Sequence, residues 1–426
     1  DNWVLARTIE ACSKHYTMAW PHEEHESGRP RLLSPLYERL KARNACFGSK
    51  LGWERPNWFA PEGVAPEDHY SFGRQNWFSH VGEEHIACRE RVALFDQSSF
   101  AKFELRGPDA AEAIDWVAAN DMRKPLGSVI YTQLLNSRGC IECDLTAARI
   151  ADDCFYIVTG TGFRTHDQAW IKGNIPEGLD ADLIDITEEW GTLSLMGPKS
   201  RDLLATLIAP DQLSNESFPF ATWKEVMIAN RRVRALRITY MGELGWELHM
   251  PIAATGDVFD AIEEAGKPFG LALAGYRAIE SLRLEKGYRA WGSDITPNDS
   301  PFEAGLGWAV KLRSGRPFLG REAAEKAANS PRQKMLACFT VDDQTIVLQG
   351  RETIFRNGRP VGYITSAGWG YSLQKNIAYG YVRSESNLDR DYLAEGSYEL
   401  EAACERIPCR IHIEPLYDPK MQRVKS

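Results

Sequence analysis

The sequence lacks any uninterrupted apolar run near the ~20 residues that a helix needs to cross a bilayer. It also lacks both G-x-G-x-x-G and G-x-x-x-x-G-K-[ST]. The nearest approach, Gly160-Thr161-Gly162, is missing the third glycine. Those glycines let backbone N–H groups close on phosphates, so neither a Rossmann-type dinucleotide site nor a P-loop is expected. There is no positive excess: 50 Lys+Arg stand against 59 Asp+Glu, a formal net charge of -9. That balance argues against broad, charge-driven binding of nucleic acid, while leaving room for one small basic pocket. Nine cysteines are odd in number and irregular in spacing, which points to a reducing compartment rather than a disulfide scaffold. Cys140-Ile141-Glu142-Cys143 is formally C-x-x-C, but the second pair that a structural zinc site wants is absent. His22-Glu23-Glu24-His25 spaces its histidines three apart, not the four of a zincin helix, and reads as a solvated charged loop. No metal site is expected. The opening residues, Asp1-Asn2-Trp3-Val4, read neither as a secretory signal nor as an Arg-rich, acid-poor transit peptide.

What is present is core material. The 426 residues are 43% hydrophobic, enough for roughly two to three domains. Thirteen tryptophans belong mainly to cores, but such rings also line sites for flat ligands. Residues 1–75 read as an irregular lead-in that packs on a neighbour. Its one short helix runs over Ser34–Lys41, with Ser34 as N-cap and Pro35 in the first turn. Residues 76–330 carry an internal repeat. Phe103-Glu104-Leu105-Arg106-Gly107-Pro108 and Leu193-Ser194-Leu195-Met196-Gly197-Pro198 each precede a helical pattern. Cys154–Thr159 and Trp246–Met250 then form second strands, leading into helices around His166–Ile171 and Ala254–Glu264. A β-α-β-α unit repeated about 90 residues apart predicts a duplicated α+β domain with a cleft lined by both copies. Residues 331–426 turn β-rich. Asn357-Gly358 between two strand-like runs is a hairpin signal, and a small antiparallel β-barrel is expected.

Two stretches hold more polar chemistry than packing needs. Tyr131–Thr146 reads as a hairpin around Asn136-Ser137-Arg138-Gly139. Strict alternation puts Glu142 and Asp144 on one face, opposite Ile141, Cys143 and Leu145. That face either wets an outer surface or lines a site. In Ile238–Leu248, Gly242 and Gly245 bracket a tight turn near which Tyr240 and Glu247 project. A buried carboxylate there would accept two parallel N–H bonds from a flat heterocycle; the alternative is an ordinary hairpin with Glu247 exposed.

At these stretches the chain resembles the folate-binding aminomethyltransferase family. Its members include the T-protein of the glycine cleavage system and the C-terminal halves of dimethylglycine and sarcosine dehydrogenases and oxidases. Four blocks in order carry the resemblance: Gly139–Thr146, Tyr240–Leu248, Ser281-Leu282-Arg283-Leu284-Glu285-Lys286-Gly287-Tyr288 and Pro301–Trp308. The lead-in motifs Gly28-Arg29-Pro30, Ser34-Pro35-Leu36-Tyr37 and Gly52–Phe59 resemble the segment joining the flavin half to the folate half in the dehydrogenases. The implied fold is an α+β duplicated β-α-β-α folate-binding core at 76–330, a lead-in at 1–75 and a C-terminal antiparallel barrel at 331–426.

The resemblance also implies roles. Asp144 matches the catalytic carboxylate, and Tyr131 a tyrosine beside the folate. Tyr240 and Glu247 match residues that hold the pterin. The pattern departs at Cys140, where a second glycine is usual, and at Ile279-Glu280, where T-proteins carry Arg-Asp. Arg277 is the nearby positive charge. The implied cofactor is tetrahydrofolate, with FAD only in a partner half or subunit. The implied reaction is capture, as 5,10-methylenetetrahydrofolate, of the one-carbon unit from an oxidised N-methyl amine of the dimethylglycine or sarcosine kind. The implied setting is a bacterial cytoplasm or a mitochondrial matrix. The alternatives are a non-catalytic regulatory subunit and a stand-alone folate-dependent demethylase or aminomethyltransferase.

Overall fold

The computed structural model describes residues 2–426. It opens with α1 (Asn2–Lys14) and α2 (Tyr37–Lys41), then a hairpin of β1 (Ala45–Lys50) and β2 (Trp53–Phe59). The lead-in is therefore more ordered than its composition predicts. Leu51 and Gly52, at φ 48° and 89°, supply the left-handed pair that closes a tight hairpin. Pro56 conceals β2 in the sequence because proline has no N–H to give a ladder. A register shift between Cys46 and Phe47 accommodates it. Trp53 and Trp58 are buried on the same strand. Ser34 lies two residues before Leu36, the α2 N-cap, whose N–H its hydroxyl oxygen accepts at 3.2 Å. Its hydroxyl bonds to the buried carboxylate of Asp96, fastening the lead-in to the core, and α2 begins three residues later.

The repeat forecast from the two Gly-Pro turns is real. After α3 (Phe78–Glu90) and β3 (Val92–Asp96), the first copy contains β4 (Ala101–Arg106), α4 (Ala110–Val117), β5 (Val129–Leu135), β6 (Ile141–Ala151), β7 (Cys154–Thr159), α5 (Arg164–Asn174) and β8 (Asp182–Asp185). The second contains β9 (Trp190–Met196), α6 (Ser200–Leu204), β10 (Trp223–Ile228), β11 (Arg231–Leu236), β12 (Gly245–Pro251) and α7 (Ile252–Gly266), followed by β13 (Leu271–Leu273) and α8 (Tyr276–Lys286). One sheet runs β5-β6-β7-β4-β8 and the other β10-β11-β12-β9-β3-β13, so the first four strands have the same order.

The reason for the shared turn is steric. Gly107 and Gly197 sit at φ 137° and 134°. A Cβ on them would stand 2.2 Å from the Asp180 carbonyl oxygen and 2.5 Å from that of Arg91. Only glycine meets both conditions. Each sheet buries one face under its own helices: Phe103, Ile114 and Phe155 in the first, Leu195, Trp246 and Phe259 in the second. The other faces meet along a seam of Val129, Tyr156 and Leu236, edged by Trp190 and Trp223.

After α9 (Arg321–Asn329), the strands β14 (Lys334–Val341), β15 (Thr353–Arg356), β16 (Arg359–Gly370), β17 (Lys375–Arg383), β18 (Tyr398–Ala402) and β19 (Glu405–His412) close a barrel in the order β14-β17-β16-β15-β18-β19. Asn357 and Gly358, at φ 51° and 77°, make the expected β15–β16 turn. The barrel docks on α8. Glu285 accepts the Ser372 N–H at 2.9 Å, and Arg283 donates to the Ser366 hydroxyl at 2.9 Å. Among the described residues no helix is long and apolar enough to cross a membrane.

Candidate functional site

The alternation read along β6 holds. Ile141, Cys143 and Leu145 are buried, and Glu142, Asp144 and Thr146 are partly open. Register pairs Asp144 with Gln133 and Thr146 with Tyr131, so Tyr131, Gln133 and Asp144 share one face of the β5–β6 pair. That face is not an outer surface. Asp144 Oδ1 is sealed from solvent with no hydrogen-bond partner, and both amide atoms of the fully buried Gln133 are in the same state. An unsatisfied buried polar atom costs about 1–3 kcal/mol, so three together on one face mark a place built for something other than stability.

Burial pushes Asp144 up to about 7. The Tyr131 hydroxyl beside it pulls the other way, and the charge of Asp167 adds to the rise. Burial and then the Asp144 charge hold the Tyr131 phenol well above its usual range.

Tyr131 stacks on Trp308 with ring centres 5.6 Å apart and planes at 30°. Trp308 is 69% exposed, so an aromatic platform stands open to solvent beside a sealed carboxylate. Tyr240 lies in the loop between β11 and β12. This connection is longer than the tight turn expected, running from Leu236 to Gly245. Its ring stacks on Tyr288 at 5.9 Å and 18°, and its hydroxyl donates to the Arg289 carbonyl at 3.0 Å. Burial is the first cause of its raised pKa, and Asp144 is among the charges that reach it.

Glu247 is 7% exposed, so the exposed-hairpin alternative fails. It sits in β12 opposite Ser194 and Leu236. His249, two residues on and fully buried, holds Nε2 3.4 Å from Glu247 Oε2. His249 Nδ1 lies 3.0 Å from the hydroxyls of both Tyr156 and Thr192. If these hydroxyls donate to Nδ1, the ring proton sits on Nε2, which makes no hydrogen bond at its 3.4 Å separation from the carboxylate. Burial lowers the His249 pKa and keeps the ring neutral. Asp144, Tyr131 and Tyr240 are thus electrostatic neighbours. Glu247 joins the first copy through His249 and Tyr156, and among the described residues no hydrogen bond links it to the other three.

Sequence reasoning did not single out Gln133, Asp167, Trp308 or His249. The period-2 pattern of β5 placed Gln133 with Tyr131, and that was the available signal. Cys143, His166 and Asp167 each place a donor atom within 4.8 Å of the others, the geometry of a possible metal set. Asp167 already accepts from Thr159 at 2.6 Å and from His166 at 2.9 Å. Burial pushes the Cys143 thiol far up, so in the metal-free protein the three side chains form a hydrogen-bond network around a protonated sulfur. Cys140 is not part of it. The His22–His25 loop is anchored rather than freely solvated: Glu24 accepts the Asn57 amide at 2.9 Å. Arg277 forms a two-point ion pair with Asp68 at 2.6 Å and lies 3.4 Å over the Trp77 ring, so its charge is neutralised by the lead-in.

A duplicated α+β core whose two copies pack face to face, with a closed antiparallel barrel docked on α8, is the architecture of a T-protein-like fold. The GCVT N-terminal domain model matches residues 36–314, and the glycine cleavage T-protein C-terminal barrel domain model matches residues 334–418. The chain belongs to the glycine cleavage T-protein (GCVT) family. It is 38% identical to mitochondrial sarcosine dehydrogenase of Mus musculus over all of this chain and 50% of that protein. It is also 38% identical to 4-methylaminobutanoate oxidase (formaldehyde-forming) of Paenarthrobacter nicotinovorans, over 100% of this chain and 51% of that protein. The chain therefore spans about half the length of these curated relatives. Among solved structures, the glycine cleavage system aminomethyltransferase T from Bartonella henselae superposes with a TM-score of 0.77 at 25% identity. That match covers 91% of this chain and 99% of the other.

Proposed function

We propose that this chain is the folate-dependent half of an N-methyl amine dehydrogenase or oxidase, and that it captures the one-carbon unit released by oxidative demethylation. Tetrahydrofolate, when bound, supplies the nitrogen nucleophiles that take up a carbon at the oxidation level of formaldehyde. The observation that carries the reading is Asp144: a sealed, unpaired carboxylate oxygen on a strand of the inter-copy cleft, with its pKa near neutrality. A carboxyl so placed holds a proton at Oδ1 below about pH 7 and accepts one above it, the range in which general acid–base exchange works. As the anion it stabilises positive charge developing in front of it.

The stacked pairs Tyr131–Trp308 and Tyr240–Tyr288 offer faces to flat rings. Glu247, buried in β12 beside His249, is suited to accept paired N–H donors. The oxidation that makes the one-carbon unit belongs to an FAD-dependent partner half or subunit, which oxidises an amine of the sarcosine or dimethylglycine kind. The relatives' length supports this, since they are about twice as long as this chain. The setting that goes with such a partner is a bacterial cytoplasm or a mitochondrial matrix. The test is Asp144→Asn with the flavin partner present. One-carbon transfer should be abolished while tetrahydrofolate binding stays measurable; unchanged transfer would sink the assignment.

A further inference from the structure

Nearly every half-buried arginine near the lead-in is matched by a carboxylate: Arg29 by Glu54, Arg164 by Asp185 and Arg277 by Asp68. Arg55 is not. Among the described residues its guanidinium makes no hydrogen bond or ion pair, and its Nε is buried without an acceptor. It lies flat over the Tyr276 ring, 3.9 Å from the centre, which fixes its plane while leaving its N–H edges free.

Three hydroxyls gather at the same place. Ser99 Oγ is 2.8 Å from Thr161 Oγ1 and 3.2 Å from the Tyr276 hydroxyl, and Ser99 and Thr161 are buried. Lys50, exposed at the end of β1, adds a second cation with no ion-pair partner among the described residues. The β1–β2 register sets Lys50 opposite Trp53 and Gly48 opposite Arg55, so Lys50 and Arg55 are diagonal neighbours on one face of the hairpin. The Lys50 stem reaches over Gly162, where a Cβ would meet its Cε at 3.6 Å.

Two cations without counter-ions and three converging hydroxyls form the usual recognition set for a carboxylate, with the arginine as a two-pronged donor. What sets Arg55 apart is its half-buried position, with Nε sealed and no acceptor for it. The site is close to the cleft. The Gly160-Thr161-Gly162 turn continues into Phe163, whose ring packs edge-on against Trp291 at 4.7 Å. Trp291 in turn borders His166, the ion-pair neighbour of Glu142.

We propose that Arg55, Lys50, Ser99, Thr161 and Tyr276 form a carboxylate-binding subsite serving the cleft. The proposal rests on the folate reading for its place in the reaction. The carboxylate has two possible sources: the glutamate of tetrahydrofolate, or the acid group of an N-methyl amino acid such as sarcosine or 4-methylaminobutanoate.

The test is binding by isothermal calorimetry to the full chain and to R55Q and R55K. The probes are tetrahydrofolate, tetrahydropteroate (the same molecule without its glutamate), sarcosine and 4-methylaminobutanoate. R55Q loses the Arg55 contact with Tyr276, so a melting temperature within a few degrees of the parent's verifies folding. If the glutamate is the ligand, R55Q weakens tetrahydrofolate on the order of 10- to 100-fold and leaves tetrahydropteroate unchanged. R55K, which keeps the charge but loses the fork, falls between. If the amino acid is the ligand, R55Q loses sarcosine or 4-methylaminobutanoate and binds both pterins as before. Equal binding of all probes by R55Q and the parent overturns the proposal. So does a loss that falls equally on tetrahydropteroate. Should the parent bind neither pterin, the folate reading fails separately. The subsite is then judged on the two amino acids: their loss in R55Q supports it, and equal or absent binding overturns it.

Discussion

Replacing Asp144 with Asn tests the chemistry and the electrostatics at once. The carboxyl moves from 3.8 to about 7 in the folded protein, chiefly through burial. At about 1.36 kcal/mol per unit, three units correspond to about 4 kcal/mol, an upper bound for a site partly open at its rim. The folded pKa lies above the unfolded value, so the native state holds this proton more tightly than the unfolded chain does. The stabilisation is fully present below about pH 4 and is lost as pH rises through about 7. Asparagine carries no such proton. The variant should therefore match or trail the parent at pH 4 and exceed it above pH 7, by up to about 4 kcal/mol. One-carbon transfer should fall by about 10²–10⁴-fold, the usual worth of a positioned acid–base group, and the pH dependence near 7 should vanish with it. Urea denaturation at pH 4.5, 6, 7 and 8 reads the first effect, and a transfer assay with the flavin partner reads the second. A stability difference between variant and parent that does not change with pH would show that the carboxylate is not desolvated, and the reasoning from its burial would fail.

His249→Gln keeps an N–H₂ facing Glu247, while His249→Leu removes it. Tetrahydrofolate KM should rise about tenfold in the leucine variant, consistent with about 1.4 kcal/mol, stay within about threefold in the glutamine variant, and leave kcat unchanged in both. A kcat loss shared equally by the two would contradict a positioning role. Trp308→Ala, at an exposed site, should alter stability by no more than about 0.5 kcal/mol. It should weaken tetrahydrofolate by several-fold, as expected for losing about 0.5–1.5 kcal/mol of aromatic stacking; fluorescence titration decides, and unchanged affinity removes Trp308 from the platform. Gly197→Ala forces a Cβ to 2.5 Å from the Arg91 carbonyl at φ 134°, and should destabilise by about 1–3 kcal/mol or more. A melting temperature equal to the parent's would refute the steric account of the repeated turn.

The features readable in advance were those with local causes. Asn357-Gly358 and the Gly-Pro turns are conformational demands written in two residues, and both copies' second strands follow from apolar runs that need no neighbour to explain them. The misreadings arose where a distant partner decides. Ser34 reads as the cap in isolation; its hydroxyl donates to Asp96 while its oxygen accepts the Leu36 N–H, so it anchors the turn before α2 and Leu36 takes the cap position. Pro56 argues against a strand, yet β2 tolerates it beside an unpaired Asn57, where the register shifts. The face of β6 bearing Glu142 and Asp144 fits water or a cleft equally well by alternation, and the docking of a second copy some 90 residues away decides between them. For the same reason the near-neutral pKa of Asp144 is a tertiary property without a local signature.

The duplication explains why one cleft carries one site rather than two. Glu104 pairs with Tyr156 in the first copy and Ser194 with Glu247 in the second, each three residues before the turn glycine. Tyr156 and Glu247 therefore occupy equivalent positions of the repeat. They meet across the seam through His249, with Tyr156 on Nδ1 and Glu247 beside Nε2. One copy supplies a hydroxyl to the ring, and the other a carboxylate beside it. The symmetry of the backbone brings the two positions face to face, and their side chains have diverged. If that account is right, Tyr156→Phe should reproduce part of the His249→Leu effect on KM. It touches neither Glu247 nor the cleft, and an unchanged KM would mean that the seam is packing alone.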